Sequence, residues 1–240
     1  MAKRFNNEVV GISAEIAIAD IFGVAISDNY RLRGSQEVVD SLKSVVNNGF
    51  TEYLIPKPIQ HIAEEQNPID FLLKNRLTLS VKTNQRSLGK VAPQKIGQPT
   101  STTYFQNFSH IIDQEIPYSY EDKRRLFKKI SIDKIHQVIP EYWNNLFDCD
   151  YLIYFFNIIN KLGAVNSNPS YIVLGKFGEN PKWEKKNFSF TQTIDSWNES
   201  CTVKYFKTSI GEFQAHQHRD CFKFRFNMDN ILKLKKKNLI

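Results

Sequence analysis

Hydrophobic positions recur along this chain with two spacings, and the change from one to the other predicts its elements. From about Glu8 to Phe22 apolar residues follow the 3.6-residue period of a helix, and Gly23 is placed to end it. Val38, Val39, Leu42, Val45 and Val46 repeat at helical spacing over a second stretch, which Asn48-Gly49 is expected to close. Tyr53-Leu54-Ile55 follows, bounded by Pro56 and Pro58, and reads as a strand. Ile69 to Leu73 and Leu77 to Thr83 are strand-length runs joined by Lys74-Asn75-Arg76, which predicts a β-hairpin.

The stretch from Gly89 to Thr103, rich in Gly, Pro, Gln, Ser and Thr, reads as a loop. Ser119 with Asp122 resembles a capping box opening a helix from Glu121 to Ile130, and a further helix is expected from Ile132 to Leu146, interrupted at Pro140. Strands are then expected at Tyr151 to Phe156, Tyr171 to Leu174, Phe188 to Thr191, Val203 to Phe206 and around Phe213 to Phe226. The order predicts an α/β (α+β) fold with a mixed central β-sheet flanked by helices. With 240 residues, 41% of them hydrophobic, one core and a single domain over residues 1–240 are expected.

Pairing the hairpin about Asn75 sets Leu73 opposite Leu77, Phe71 opposite Leu79 and Asp70 opposite Ser80. Alternation then gathers Phe71, Leu73, Leu77, Leu79 and Val81 on one face, and Asp70, Leu72, Thr78, Ser80 and Lys82 on the other. A carboxylate and an ammonium on neighbouring strands suit phosphodiester hydrolysis. The carboxylate can hold a divalent cation that polarises the phosphate and acidifies a water, while the lysine holds that water or offsets charge on phosphorus. Mg²⁺ keeps several of its waters, so a few hard oxygen ligands suffice. The same pattern also describes an ordinary amphipathic hairpin with a surface ion pair. On the first helix, Glu15 points into the apolar face between Phe22 and Ala19. Either it is buried and needs a partner such as a metal-bound water, a lysine or a helix terminus, or it reaches solvent at the stripe's edge.

In order, these residues resemble the PD-(D/E)XK nuclease superfamily, and in particular its type II restriction endonucleases. The likeness runs through Glu15 on an early helix, Asn67-Pro68-Ile69-Asp70 on one strand and Ser80-Val81-Lys82 on the next, and covers roughly the first 100 residues. It implies a restriction-endonuclease-like core with its elements in residues 1 to about 110, and a strand-rich part from about 150 to 240 that reads DNA. Asp70 and the Val81 carbonyl are implied as ligands of Mg²⁺, Lys82 as the group orienting water, Glu15 as a helper at or near the metal, and 5′-phosphate and 3′-hydroxyl ends as the product. Ser80 stands where the family carries a second acidic residue. Serine is a poor metal ligand, so the site works with fewer protein ligands, draws on Glu15, or is inactive.

A net charge of +7 and a pI near 9.2 favour a polyanionic partner, although part of the excess lies in the tail Lys233-Leu234-Lys235-Lys236-Lys237. Lys90, Gln94, Lys95 and Gln98 follow the second hairpin strand and could clamp phosphates, or could be incidental to a surface loop. Further on, Gln214, His216, His218 and Arg225 lie on the polar side of an alternating aromatic pattern, with Arg219 near its turn. Arginine suits guanine and glutamine suits adenine in the major groove, whereas the same residues also describe a solvated edge strand. His216, His218 and Cys221 lack a fourth zinc ligand at motif spacing.

The reading that results is a Mg²⁺-dependent, sequence-specific endonuclease acting on double-stranded DNA, as a homodimer matched to a palindromic site, with a cognate DNA methyltransferase in the same system. The competing readings are a catalytically inactive DNA-binding protein of the same fold, and a nuclease acting on RNA or structured DNA. No apolar run reaches the ~18 residues of a membrane span. No secretory leader is read at Met1, and the three separated cysteines suggest reduced thiols, so a cytoplasmic protein is expected.

Overall fold

The computed structural model describes residues 5–63, 67–93, 95–175, 180–216 and 218–240. The chain divides into two compact units, one of residues 1–89 and 147–178, the other of residues 90–146 and 179–240.

In the first unit, helix α1 (Asn7–Phe22) starts where the Asn6 side chain accepts the Val9 N–H and stops at Gly23 in the left-handed conformation, φ 67°. Almost every residue from Val10 to Ala19 is buried, because α1 lies between the sheet, on the strand Thr78–Thr83, and helix α3 (Gln36–Glu52). A single turn, α2 (Asp28–Arg31), connects them. Asn48-Gly49 does not end α3, which runs on to Glu52. A Cβ at Gly49 would lie 3.2 Å from both Ile153 and Tyr171, so the glycine serves close approach to the sheet instead of a helix stop.

The sheet of this unit is mixed, with spatial order β1 (Pro58–His61), β2 (Phe71–Leu73), β3 (Thr78–Thr83), β5 (Tyr151–Phe156) and β6 (Ser170–Gly175). All neighbours are antiparallel except β3 and β5, which run parallel. The strand expected at Tyr53-Leu54-Ile55 lies later, at Pro58–His61: Tyr53 and Leu54 complete the exit from α3. Proline is tolerated at Pro58 because it is the first residue of an edge strand.

The second unit has its own sheet, wholly antiparallel, in the order β4 (Lys90–Val91), β10 (Phe222–Asn227), β9 (Thr208–Ala215), β8 (Ser200–Tyr205) and β7 (Phe188–Phe190). The expectation of one central sheet is therefore corrected to two. One face of this second sheet carries Phe213, Phe222, Phe224 and Phe226, all fully buried with aromatic side chains of α4 (Ser101–Asn107), α5 (Tyr120–Asp133) and α6 (Ile135–Leu146). Phe127 stacks flat on Phe222 at 4.3 Å, and Tyr142 lies 4.5 Å from Phe224. Ser119 caps α5 by accepting the Asp122 N–H, as its sequence suggests. Helix α4 occupies part of the stretch expected as a loop, with Thr100 as its cap. The basic tail is not loose either: it belongs to helix α7 (Met228–Lys236), which buries Met228, Ile231 and Leu234.

Gly211, in the middle of β9, is required by this packing. A Cβ there would sit 2.6 Å from the Phe224 ring and 2.8 Å from the Arg225 carbonyl. Gly211→Ala is expected to destabilise this unit by about 1–3 kcal/mol through overpacking. The check is the urea midpoint, and an unchanged midpoint would show that the strand yields without cost. Among the described residues no helix is long and apolar enough to cross a membrane.

Candidate active site

The hairpin closes as its sequence suggests. Leu73 N–H donates to the Leu77 carbonyl at 2.8 Å, and Asn75 and Arg76 turn the chain with φ of 65° and 62°. Asparagine adopts that conformation at small cost. Phe71 pairs with Leu79 and Leu72 with Thr78, the register that alternation predicts for these two pairs. The Asp70 backbone is held from both sides: its N–H donates to Leu79 and its carbonyl accepts from Ile62.

The Asp70 side chain is 2% exposed. Its Oδ2 accepts the Val81 N–H at 2.5 Å and the Ser80 hydroxyl at 3.3 Å, and that hydroxyl also lies 3.2 Å from the Pro68 carbonyl. Burial raises the Asp70 carboxyl to about 6; the Lys82 ammonium opposes this rise, the Glu15 charge adds to it, and the Val81 and Ser80 hydrogen bonds oppose it. Asp70, Lys82 and Glu15 therefore share one electrostatic environment. Lys82 is half-buried on β3, paired in register with Tyr154 of β5. The base of that parallel pair is tied by Asp150, whose Oδ2 accepts both the N–H and the hydroxyl of Thr78 at 2.9 Å.

Cys149 belongs to the same neighbourhood. Burial pushes its thiol up to about 12 against the pull of Lys82, so it stays protonated and is no nucleophile.

Of the two places its helical wheel allows, Glu15 takes the buried one, at 8% exposure. Its partners are a phenol and an imidazole that the sequence did not disclose. The Tyr30 hydroxyl donates to Oε2 at 2.6 Å, and His61 Nε2 lies 2.8 Å from the same oxygen. The His61 ring packs edge-on against Tyr30 at 4.8 Å and Phe71 at 5.1 Å. Burial first, and then the Glu15 charge, raise the Tyr30 hydroxyl well above its ordinary range, so it remains a neutral donor. The only advance signal was general: a carboxylate in the apolar face of α1 must find donors.

No group of three or more His, Cys, Asp or Glu side chains is arranged around a metal position among the described residues. The donors that could hold a cation at the hairpin are the Asp70 carboxylate and main-chain oxygen, with Glu15 nearby. Such hard oxygens suit Mg²⁺, which retains most of its waters, and do not suit zinc. A carboxyl that burial has raised to about 6 is also one that an added cation would return to its charged form.

In the second unit, Lys90, Gln214 and Arg225 come together on the polar face of the sheet, and what joins them is Glu212. Its carboxylate accepts from Lys90 Nζ at 2.5 Å, Arg225 at 3.1 Å and the Gln214 amide at 2.6 Å, and burial only partly offsets the pull of the two cations, which holds Glu212 below its ordinary range. His216 follows β9 half-buried, with Nδ1 3.7 Å from Glu199. His218 and Arg219 lie exposed between β9 and β10. The Tyr120 hydroxyl donates to the main-chain carbonyls of His216 and Arg219, fixing this connection from α5. Lys95 and Gln98 are exposed, and Gln94 lies outside the described residues.

No protein-family model matches the chain, and no solved structure gives a significant match. Over 167 residues, 69% of its length, the chain is 36% identical to the type II restriction enzyme CviAII of Paramecium bursaria Chlorella virus 1. The match covers 43% of that enzyme, so the chain spans less than half of the curated relative to which it is similar.

Proposed function

We propose that this chain is a Mg²⁺-dependent endonuclease of the PD-(D/E)XK kind, cutting double-stranded DNA at a specific sequence. The observation that carries the reading is the hairpin that brings Asp70, buried and bonded to the Val81 backbone, into the field of both Lys82 and Glu15. The similarity to a named restriction enzyme supports it independently.

In this reading Asp70 and the Val81 carbonyl hold Mg²⁺, which polarises the scissile phosphate and lowers the pKa of a bound water. Lys82 orients that water and offsets the negative charge that builds on phosphorus. Ser80, in place of an acidic residue, donates to Asp70 Oδ2 and steadies the carboxylate instead of adding a ligand. Lys90, Lys95, Gln98, Gln214, His216, His218, Arg219 and Arg225 supply phosphate and base contacts. We further propose a cytoplasmic homodimer, its two-fold axis matching a palindromic site, and a companion DNA methyltransferase that protects the host's own sites.

The test is digestion of a sequenced plasmid by the purified protein. Discrete fragments that require Mg²⁺, vanish with EDTA, and are lost with Asp70→Ala are expected. Lys82→Ala is expected to slow cleavage by about a hundredfold or more. Unchanged cutting by Asp70→Ala would remove the hairpin from consideration. Ser80 favours a second reading, a DNA-binding protein without catalysis, which predicts salt-dependent duplex binding and no fragments with Mg²⁺ or Mn²⁺.

A further inference from the structure

Beside Asp70 lies a cluster that the cutting chemistry does not itself use. Tyr30 comes from α2, His61 from β1 and Glu15 from α1, and the three side chains meet at a single carboxylate oxygen. The side chains of Glu15 and His61 are 10% and 2% exposed, so this is an interior network. Its position relative to the hairpin is fixed by the sheet: His61 pairs with Phe71, the residue after Asp70, and the next N–H along, that of Ile62, donates to the Asp70 carbonyl.

We propose that Tyr30 and His61 are positioning residues of the hydrolytic centre: they hold Glu15 as the site's second carboxylate, in the place that Ser80 leaves without one. The inference rests on the nuclease reading and adds two residues to it. Both donors engage Oε2, which leaves Oε1 as the oxygen that a metal-bound water would meet. The chemistry of the partners matters. A lysine in either place would cancel the charge of Glu15, whereas a phenol orients the carboxylate and remains neutral. With a carboxylate as acceptor, His61 Nε2 is the nitrogen that carries the proton, so the ring is fixed by both its hydrogen bond and its packing against Tyr30 and Phe71. Hydrogen bonds that orient the groups around a metal are worth tenfold to a hundredfold in metal affinity, roughly speaking, when removed.

The experiment measures Mn²⁺ binding to the full protein by electron paramagnetic resonance, for Tyr30→Phe, His61→Gln, Glu15→Gln and Asp70→Asn, with melting temperatures taken alongside. The Mn²⁺ midpoint is expected to rise about tenfold in Tyr30→Phe and in His61→Gln. Glu15→Gln is expected to shift it at least as far, and Tyr30→Phe is expected to add nothing in the Glu15→Gln background. Melting temperatures that fall while the midpoint stays within about twofold of the parent would mark the network as purely structural and overturn the proposal. If Glu15→Gln leaves the midpoint unmoved while Asp70→Asn abolishes binding, the proposal fails and the nuclease reading stands. If Asp70→Asn also leaves binding intact, both fail. Should either the tyrosine or the histidine variant not fold, the other carries the same comparison; should neither fold, Glu15→Gln decides.

Discussion

Asp70→Asn is expected to abolish cleavage and, in metal-free buffer at neutral pH, to make the protein more stable. On the proposed function, the first effect follows from losing the carboxylate that is bonded to the Val81 backbone beside Lys82, and a fall of about a thousandfold or more is expected. The second follows from the cost of burying that charge. The folded-state value of about 6 lies above the 3.8 of an open chain. Below 3.8 the group is protonated in both states and its contribution to stability is fully present. As the pH rises through about 6 the unfolded chain ionises first, and up to roughly 3 kcal/mol is lost. Asparagine can still accept the Val81 N–H without that penalty.

Urea denaturation followed by circular dichroism at pH 5 and pH 7 in EDTA isolates this effect, because other titrating groups are common to both proteins. The gap between parent and Asp70→Asn should widen toward pH 7. A variant less stable than the parent at pH 7, or one with the same pH slope, would contradict this account of Asp70. Gain in stability with loss of activity is the signature of a residue retained for its chemistry.

The second large effect is expected in the other unit, from Phe127→Ala. Phe127 is fully buried and meets four aromatic neighbours: Phe222 stacked at 4.3 Å, Tyr104 edge-on at 4.9 Å, Trp197 at 5.6 Å and Phe213 at 5.8 Å. Truncation removes the ring's transfer energy and leaves a cavity that rigid aromatics cannot refill, at a cost of about 3–5 kcal/mol. The protein supplies its own probe. All three tryptophans, Trp143, Trp183 and Trp197, fall within this unit and are buried, so tryptophan emission, excited apart from tyrosine, reports on this unit. A shift below about 1 kcal/mol would mean that the aromatic layer relaxes far more readily than its packing suggests.

What could be read in advance depended on whether a feature is local. Gly23 ends α1, alternation gave the pairing of Phe71 with Leu79, and the wheel put Glu15 on the apolar face, whether buried or at its edge; each depends on neighbours a few residues away. Tyr30 and His61 escaped notice because nothing local links them to Glu15, from which they lie 15 and 46 residues away along the chain. Proline misled the placement of β1, since Pro56 and Pro58 read as breakers although an edge strand accepts one at its start. Gly49 misled the end of α3 because a glycine that allows close packing looks the same, in sequence, as one that stops a helix. Glu212 was overlooked as an acidic residue among basic ones, yet its carboxylate is what organises Lys90, Gln214 and Arg225.

The parallel pairing of β3 with β5 has a consequence for biosynthesis. Thr78 and Asp150, which fasten the two strands together, are 72 residues apart, and residues 90–146 of the other unit lie between them. A ribosome therefore releases the Lys82 strand with one edge bare and must deliver three helices of the other unit before the partner strand arrives. Closing so long a loop is slow. The centre is thus completed late, and a nascent chain stalled before Tyr151 carries Asp70 and Lys82 without the strand that braces them.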